Sequence, residues 1–146
     1  MLIIFLIHLS ATSIMTGVIW VIQLLHYPFF HHLYRPKFSH YMQEHRYRIS
    51  LIVIPVMLME LFTGIYLLYY SVSLQGLFII GCLMLAAIWI STFKLQMRAH
   101  KQIVAIYNQS AVNRLVKTNW IRTILWTARL ILLFIISVFY SIEGTF

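Results

Sequence analysis

Glu60 and Arg129 are the charged residues set deepest in apolar sequence. Each lies roughly ten residues, or about 15 Å at 1.5 Å per residue, from the more basic edge of its hydrophobic run. Neither charge is tolerable alone in hydrocarbon, so the two are expected to pair. Such a pair can relay a proton or balance a bound charge, and it can equally be a clamp that fixes helix registry. Nearer the basic edge comes a second set: Gln23, His26, His45, Gln96, His100, Asn119 and Arg122. Imidazole titrates near neutrality and is the commonest metal ligand, and it suits Fe, Cu, Zn and Ni. His26, His45 and His100 are therefore the candidate metal ligands or proton-transfer groups. Gln23, Gln96 and Asn119 have the side chains that orient ligands through hydrogen bonds, and Arg122 that of an anion binder. Glu60, Arg122, Arg129 and Asn119 are the candidate catalytic groups.

A haem would need one or two axial His ligands in an apolar slot, with cations at its propionates. His26 or His100, together with Arg98 or Arg122, meet that description. His8 precedes His26 by eighteen residues, about 27 Å along a helix, so the two cannot share a haem. His8 is a candidate ligand for a second, outer cofactor, with no evident His partner at its depth. The adjacent His31 and His32 suggest metal capture or simply a solvated loop.

These side chains must be positioned by membrane helices. Apolar residues make up 62% of the chain and charged residues 10%, against roughly 45–50% and about 25% in soluble domains. Too few charges are available to cover a water-facing surface, and too much apolar surface is present for disorder. Runs of roughly 20 apolar residues span a bilayer, and four occur, at about 2–25, 49–70, 77–95 and 121–140. Within them the polar residues fall into stripes at helical spacing: His8, Thr12, Thr16, Gln23 and His26; His45, Glu60 and Thr63; Trp89, Thr92, Gln96 and His100; Asn119, Arg122, Trp126 and Arg129. The economical arrangement turns all four stripes toward one another. The expected fold is all-α, a single transmembrane domain over residues 1–146 built as an up-down four-helix bundle. The second helix is expected to start near Lys37, and Ser110 to cap the fourth. Trp20, Trp89, Trp120 and Trp126 read as packing or interfacial anchors, the scattered Met residues as packing, and the lone Cys82 as a small hydrophobe.

The formal net charge of +8 comes from eleven Lys and Arg against three Glu. In a soluble domain that would suggest nucleic acid. Here nine of the basic residues lie in or beside the two long connections, and Arg122 and Arg129 lie in the half of the fourth run on that side. The positive-inside rule then puts both connections in the cytoplasm and both termini outside. A multi-pass protein of the bacterial inner (plasma) membrane is expected, with helices extended into the cytoplasm and no nucleic-acid partner.

The stretches MTGVIWVIQLLHYPFF, PVMLMEL and TNWIRTILWTAR resemble signatures of a family of small uncharacterised bacterial four-span membrane proteins. Over about the first thirty residues, the early His8 and the Gly-Trp-containing first span are also loosely similar to four-helix proteins around the copper-resistance CopD domain and the HemJ-type protoporphyrinogen oxidases. That likeness implies a haem-ligand role for His8. The chain has Tyr27-Pro28-Phe29 where the HemJ-type pattern has Pro-Arg.

The leading expectation is an embedded redox site near the cytoplasmic face, binding a transition metal or haem and acting on a lipophilic substrate, as a membrane-bound oxidoreductase would. Two alternatives stay open. The first is a proton or ion channel or transporter with a ladder of His8, Thr12, Thr16, Glu60 and His26. The second is a structural subunit of a homo-oligomer or larger membrane complex, its stripes serving as glue.

Overall fold

The computed structural model describes residues 1–30, 38–97 and 109–143. Four helices account for nearly all of them: α1 (Leu2–Phe29), α2 (Phe38–Tyr70), α3 (Gln75–Gln96) and α4 (Gln109–Glu143). Each is long and apolar enough to cross a membrane. With 33 residues, α2 is about 50 Å long at 1.5 Å per residue, well beyond a hydrocarbon core of about 30 Å. It stays continuous through Pro55. Its first described residue is Phe38, so the start expected near Lys37 lies outside the described residues, whereas Ser110 lies inside α4 rather than capping it.

Side-chain contacts set the order around the bundle. His8 and Thr12 of α1 meet Thr63 and Glu60 of α2, and Thr16 and Gln23 meet the backbone of Trp126 and Val116 in α4. Cys82 of α3 lies against Gly64 of α2, and Gln96 against Thr118 of α4. In every neighbouring pair the numbers rise on one helix as they fall on the other, so neighbours are antiparallel. One end of the bundle thus holds Met1, the turn at residues 71–74 and the end of α4, where Tyr140 donates to Ser71 at 2.8 Å. Phe29, Phe38, Gln96 and Gln109, the helix residues that flank the long connections, lie at the other end.

The outward faces carry Ile, Leu, Val and Phe side chains such as Ile3, Leu25, Phe62, Leu83, Ile124 and Phe134, most of them more than half exposed. In water such a surface would not persist, whereas in lipid it is the expected solvent-facing coat. The interior is banded. Phe5, Leu67, Phe78 and Ile136 pack at the turn end; Met15, Ile19, Met57, Ile88 and Trp126 fill the middle; Tyr27, Phe30, Phe38, Met42 and Leu115 close the loop end. Buried polar side chains occupy the two gaps between these layers: His8, Glu60 and Arg129 in one, Gln23, Asn119 and Arg122 in the other.

Two helices break regular periodicity. A π-turn runs over Ile22–His26 in α1 and another over Thr92–Gln96 in α3. A π-turn fits one extra residue into a turn and so delays the helical phase. As a result Tyr27, 2% exposed, takes the inward position that a regular 3.6-residue period assigns to His26. His26 turns sideways toward α2. In α3 the buried residues are Phe78, Leu85, Ile88, Ser91 and Gln96, with Trp89 and Thr92 only half-buried.

Candidate functional site

The deeper polar cluster is a closed network. Glu60, fully buried in α2, accepts from Arg129 Nη1 at 2.5 Å, Thr12 Oγ1 at 2.8 Å and Trp126 Nε1 at 3.1 Å. The expected Glu60–Arg129 ion pair is therefore present. Thr63 Oγ1 donates its single proton to the Met59 carbonyl at 2.6 Å. His8 Nδ1, 2.7 Å from that hydroxyl, must then be the donor. Its Nε2 keeps a lone pair, directed at Arg129 Nη2 across 3.5 Å. Both ring nitrogens of His8 thus have protein partners, and the void beside it holds about 10 Å³, room for one water at most. One negative and one positive charge cancel here. The geometry is that of a clamp between α1, α2 and α4.

The shallower cluster divides into two groups. In the first, Asn119 Nδ2 donates to Gln23 Oε1 at 2.8 Å, and Gln23 Nε2 passes the chain on to the Val116 carbonyl. Asn119 Oδ1 accepts from Arg122 Nη1 at 3.3 Å. Arg122 also hydrogen-bonds the Tyr27 hydroxyl and sits over the Trp126 ring, 5.3 Å from its centroid. In the second group, His26 stacks on His45 with centroids 4.0 Å apart and planes 28° apart, beside Phe30 and Tyr41. Lone pairs of two stacked imidazoles lie in separate, nearly parallel planes and do not converge on one ion. Among the described residues no three His, Cys, Asp or Glu side chains come together as a metal-ligand set. His100 and Arg98, together with His31 and His32, lie outside the described residues.

A cleft of about 640 Å³ connects these groups to the lipid-facing surface. The helices α2 and α3 touch near their turn, at Gly64 and Cys82, and part toward the loop end. Ile54, Tyr47, Phe93 and Met97, all exposed, stand at the opening. Tyr27 and Arg122 form the inner wall, and His45, Trp89 and Gln96 the flanks. Both π-turns border it, through Ile22 on α1 and Thr92, Phe93 and Gln96 on α3. π-turns are frequent at functional sites. Among the described residues, four polar atoms around it are buried without a hydrogen-bond partner: Arg122 Nε, Trp89 Nε1, Gln96 Oε1 and, behind His45, His26 Nε2.

Of the candidates legible in the sequence, Glu60, Arg129 and His8 gather in the clamp, and Gln23, Asn119 and Arg122 in the amide chain. Gln96, Arg122 and His45 line the cleft. Sequence periodicity misses Tyr27, because nothing in composition announces a π-turn. It also treats Trp126 as packing, although its N–H serves Glu60 and its face serves Arg122. The comparisons with protein-family models, with curated proteins and with solved structures find no match for this chain.

Proposed function

We propose that this is a plasma-membrane protein of the bacterial type, with its long connections in the cytoplasm, that takes a lipophilic substrate from the bilayer into the cleft between α2 and α3. The observation that carries the reading is the cleft itself, which runs from the lipid-facing surface to polar groups in the bundle interior. Its volume lies within the roughly 300–1,000 Å³ of small-molecule sites. Apolar walls with a few convergent polar atoms are the usual composition of such sites. In the redox form of this proposal His45, on the flank of the cleft, is the imidazole that would hold a transition metal or haem, with His26 stacked behind it.

The banded interior argues against the channel alternative. The layer of Met15, Ile19, Met57, Ile88 and Trp126 stands between the two polar clusters and interrupts a ladder from His8 to His26.

Photolabelling in nanodiscs with a neutral long-chain diazirine alcohol tests the reading. Label is expected to concentrate on Ile54, Met57, Phe93 and Met97 and to be lost in a Val53→Trp variant that fills the cleft. Label spread evenly over lipid-facing positions such as Ile131 and Phe134, and unaffected by Val53→Trp, would overturn it. An absorption spectrum with metal analysis on the detergent-purified protein tests the redox form. A Soret band or stoichiometric metal that disappears in His45→Ala supports it, and a cofactor retained in that variant removes His45 from the role.

A further inference from the structure

Resting on the cleft reading, we propose that its ligand is a lipophilic anion, an amphiphile whose oxyanion pairs with Arg122 while its chain lies along the apolar walls.

Arg122 is 6% exposed, and among the described residues it has no ion-pair partner. The chain contains only three acidic side chains, Glu44, Glu60 and Glu143. Glu44 is bound to Arg48 on the exposed face of α2, and Glu60 to Arg129. Glu143 lies twenty-one residues beyond Arg122 on the same helix, roughly 31 Å along its axis. The groups that do touch Arg122 are neutral: an amide oxygen, a phenol and an indole face. A guanidinium withdrawn from water is costly unless an anion compensates it. Arg129, one band deeper, has that compensation, and Arg122 does not.

The unpartnered atoms indicate where the anion belongs. Arg122 Nε and Trp89 Nε1 are both donors, both buried without an acceptor, and both residues line the cleft. A carboxylate or phosphate oxygen would satisfy them. Gln96, 2% exposed, keeps Oε1 unpartnered while its Nε2 donates to Thr118. Thr118 Oγ1 spends its own proton on the Arg114 carbonyl at 2.8 Å, so the Gln96 amide cannot be reversed without losing that bond. Gln96 Oε1 therefore calls for an O–H on the same headgroup. Exposed Arg46, also on the cleft wall, adds a second cation nearer the water-facing end. The remaining walls, Val53, Ile54, Met57 and Phe93, match a hydrocarbon chain rather than a free inorganic ion.

The test is equilibrium binding of dodecyl phosphate, dodecanol and inorganic phosphate to the full-length protein in zwitterionic-lipid nanodiscs, each measured against empty nanodiscs. Wild type is expected to bind dodecyl phosphate at least tenfold more tightly than dodecanol. Arg122→Gln should abolish that preference, and Arg122→Lys should keep most of it. Equal affinity for dodecyl phosphate and dodecanol in wild type would sink the anion inference but leave the lipophile reading standing. If neither binds, both fail. Inorganic phosphate displacing dodecyl phosphate with comparable affinity would make the site one for a free anion and also overturn the proposal. Should Arg122→Gln fold poorly, Trp89→Phe removes the second donor alone and is expected to weaken only dodecyl phosphate, severalfold. An unchanged phosphate-to-alcohol preference in Trp89→Phe would count against the donor arrangement.

Discussion

Arg129 and Arg122 sit in the same helix, are nearly equally buried, and differ in what compensates them. Among the described residues only Arg129 has a carboxylate partner. Removing one member of that pair strands the other in a low-dielectric interior, which costs about 3–5 kcal/mol. Arg129→Met is therefore expected to lower stability by that amount in a reversible detergent-unfolding titration. The double variant Glu60→Gln with Arg129→Met should recover a substantial part of the loss, and additive losses would show that the two do not act as a pair. Gly64 gives a sharper test of the clamp. A Cβ placed there would stand 3.1 Å from Cε1 of His8, whose ring is held from both sides by Thr63 and Arg129. Overpacking of this kind costs about 1–3 kcal/mol. Gly64→Ala should destabilise accordingly, and a neutral result would mean that the ring moves freely. The ion pair was legible in the sequence because depth alone forces two opposite charges together. The Trp126 contribution was not, because whether an indole N–H reaches a carboxylate depends on the rotation of α4, which hydropathy does not encode.

The helices themselves follow from apolar run length, and their lipid-facing and inward residues follow from a period of 3.6 as far as Gln23 in α1. Beyond that point the period fails. The π-turn at Ile22–His26 hands the interior position from His26 to Tyr27, and Tyr27 is what then meets Arg122. The same extra residue sends His26 onto His45, so these two histidines, which periodicity draws as convergent, form a stack. A π-turn acts as a single-residue insertion that leaves the flanking helix in register. Deleting exposed Leu24 from α1 or exposed Lys94 from α3 is expected to restore regular helix with little change in melting temperature. Cleft binding of dodecyl phosphate should fall at least tenfold, or about 1.4 kcal/mol. A deletion that unfolds the bundle would show that the turns are needed for register. One that leaves binding intact would show that they do not shape the cleft.

Across the whole bundle, apolar and polar layers alternate from the turn end to the loop end, and the polar layers differ in charge balance. The deeper layer is neutral, whereas the one beside the long connections carries the uncompensated Arg122. Basic side chains gather at the same end: Arg46, Arg48, Lys94, Arg114 and Lys117 are all exposed there, while the turn at residues 71–74 has none. Lys and Arg beside membrane spans are retained in the cytoplasm, and this asymmetry was the most legible feature of the sequence because it needs no knowledge of packing. On the proposed orientation the cleft lies in the cytoplasmic half of the bilayer, where an anionic amphiphile would reach Arg122 from the inner leaflet. In a Cys82→Ser background, Ser73→Cys at the turn is expected to react with a membrane-impermeant maleimide in intact cells, and Asn113→Cys on α4 only after the membrane is opened. Both positions are exposed, so their reactivity reports sidedness and not burial. The opposite labelling pattern would invert the protein, put the cleft in the outer leaflet and move its source of ligand to the other side of the membrane.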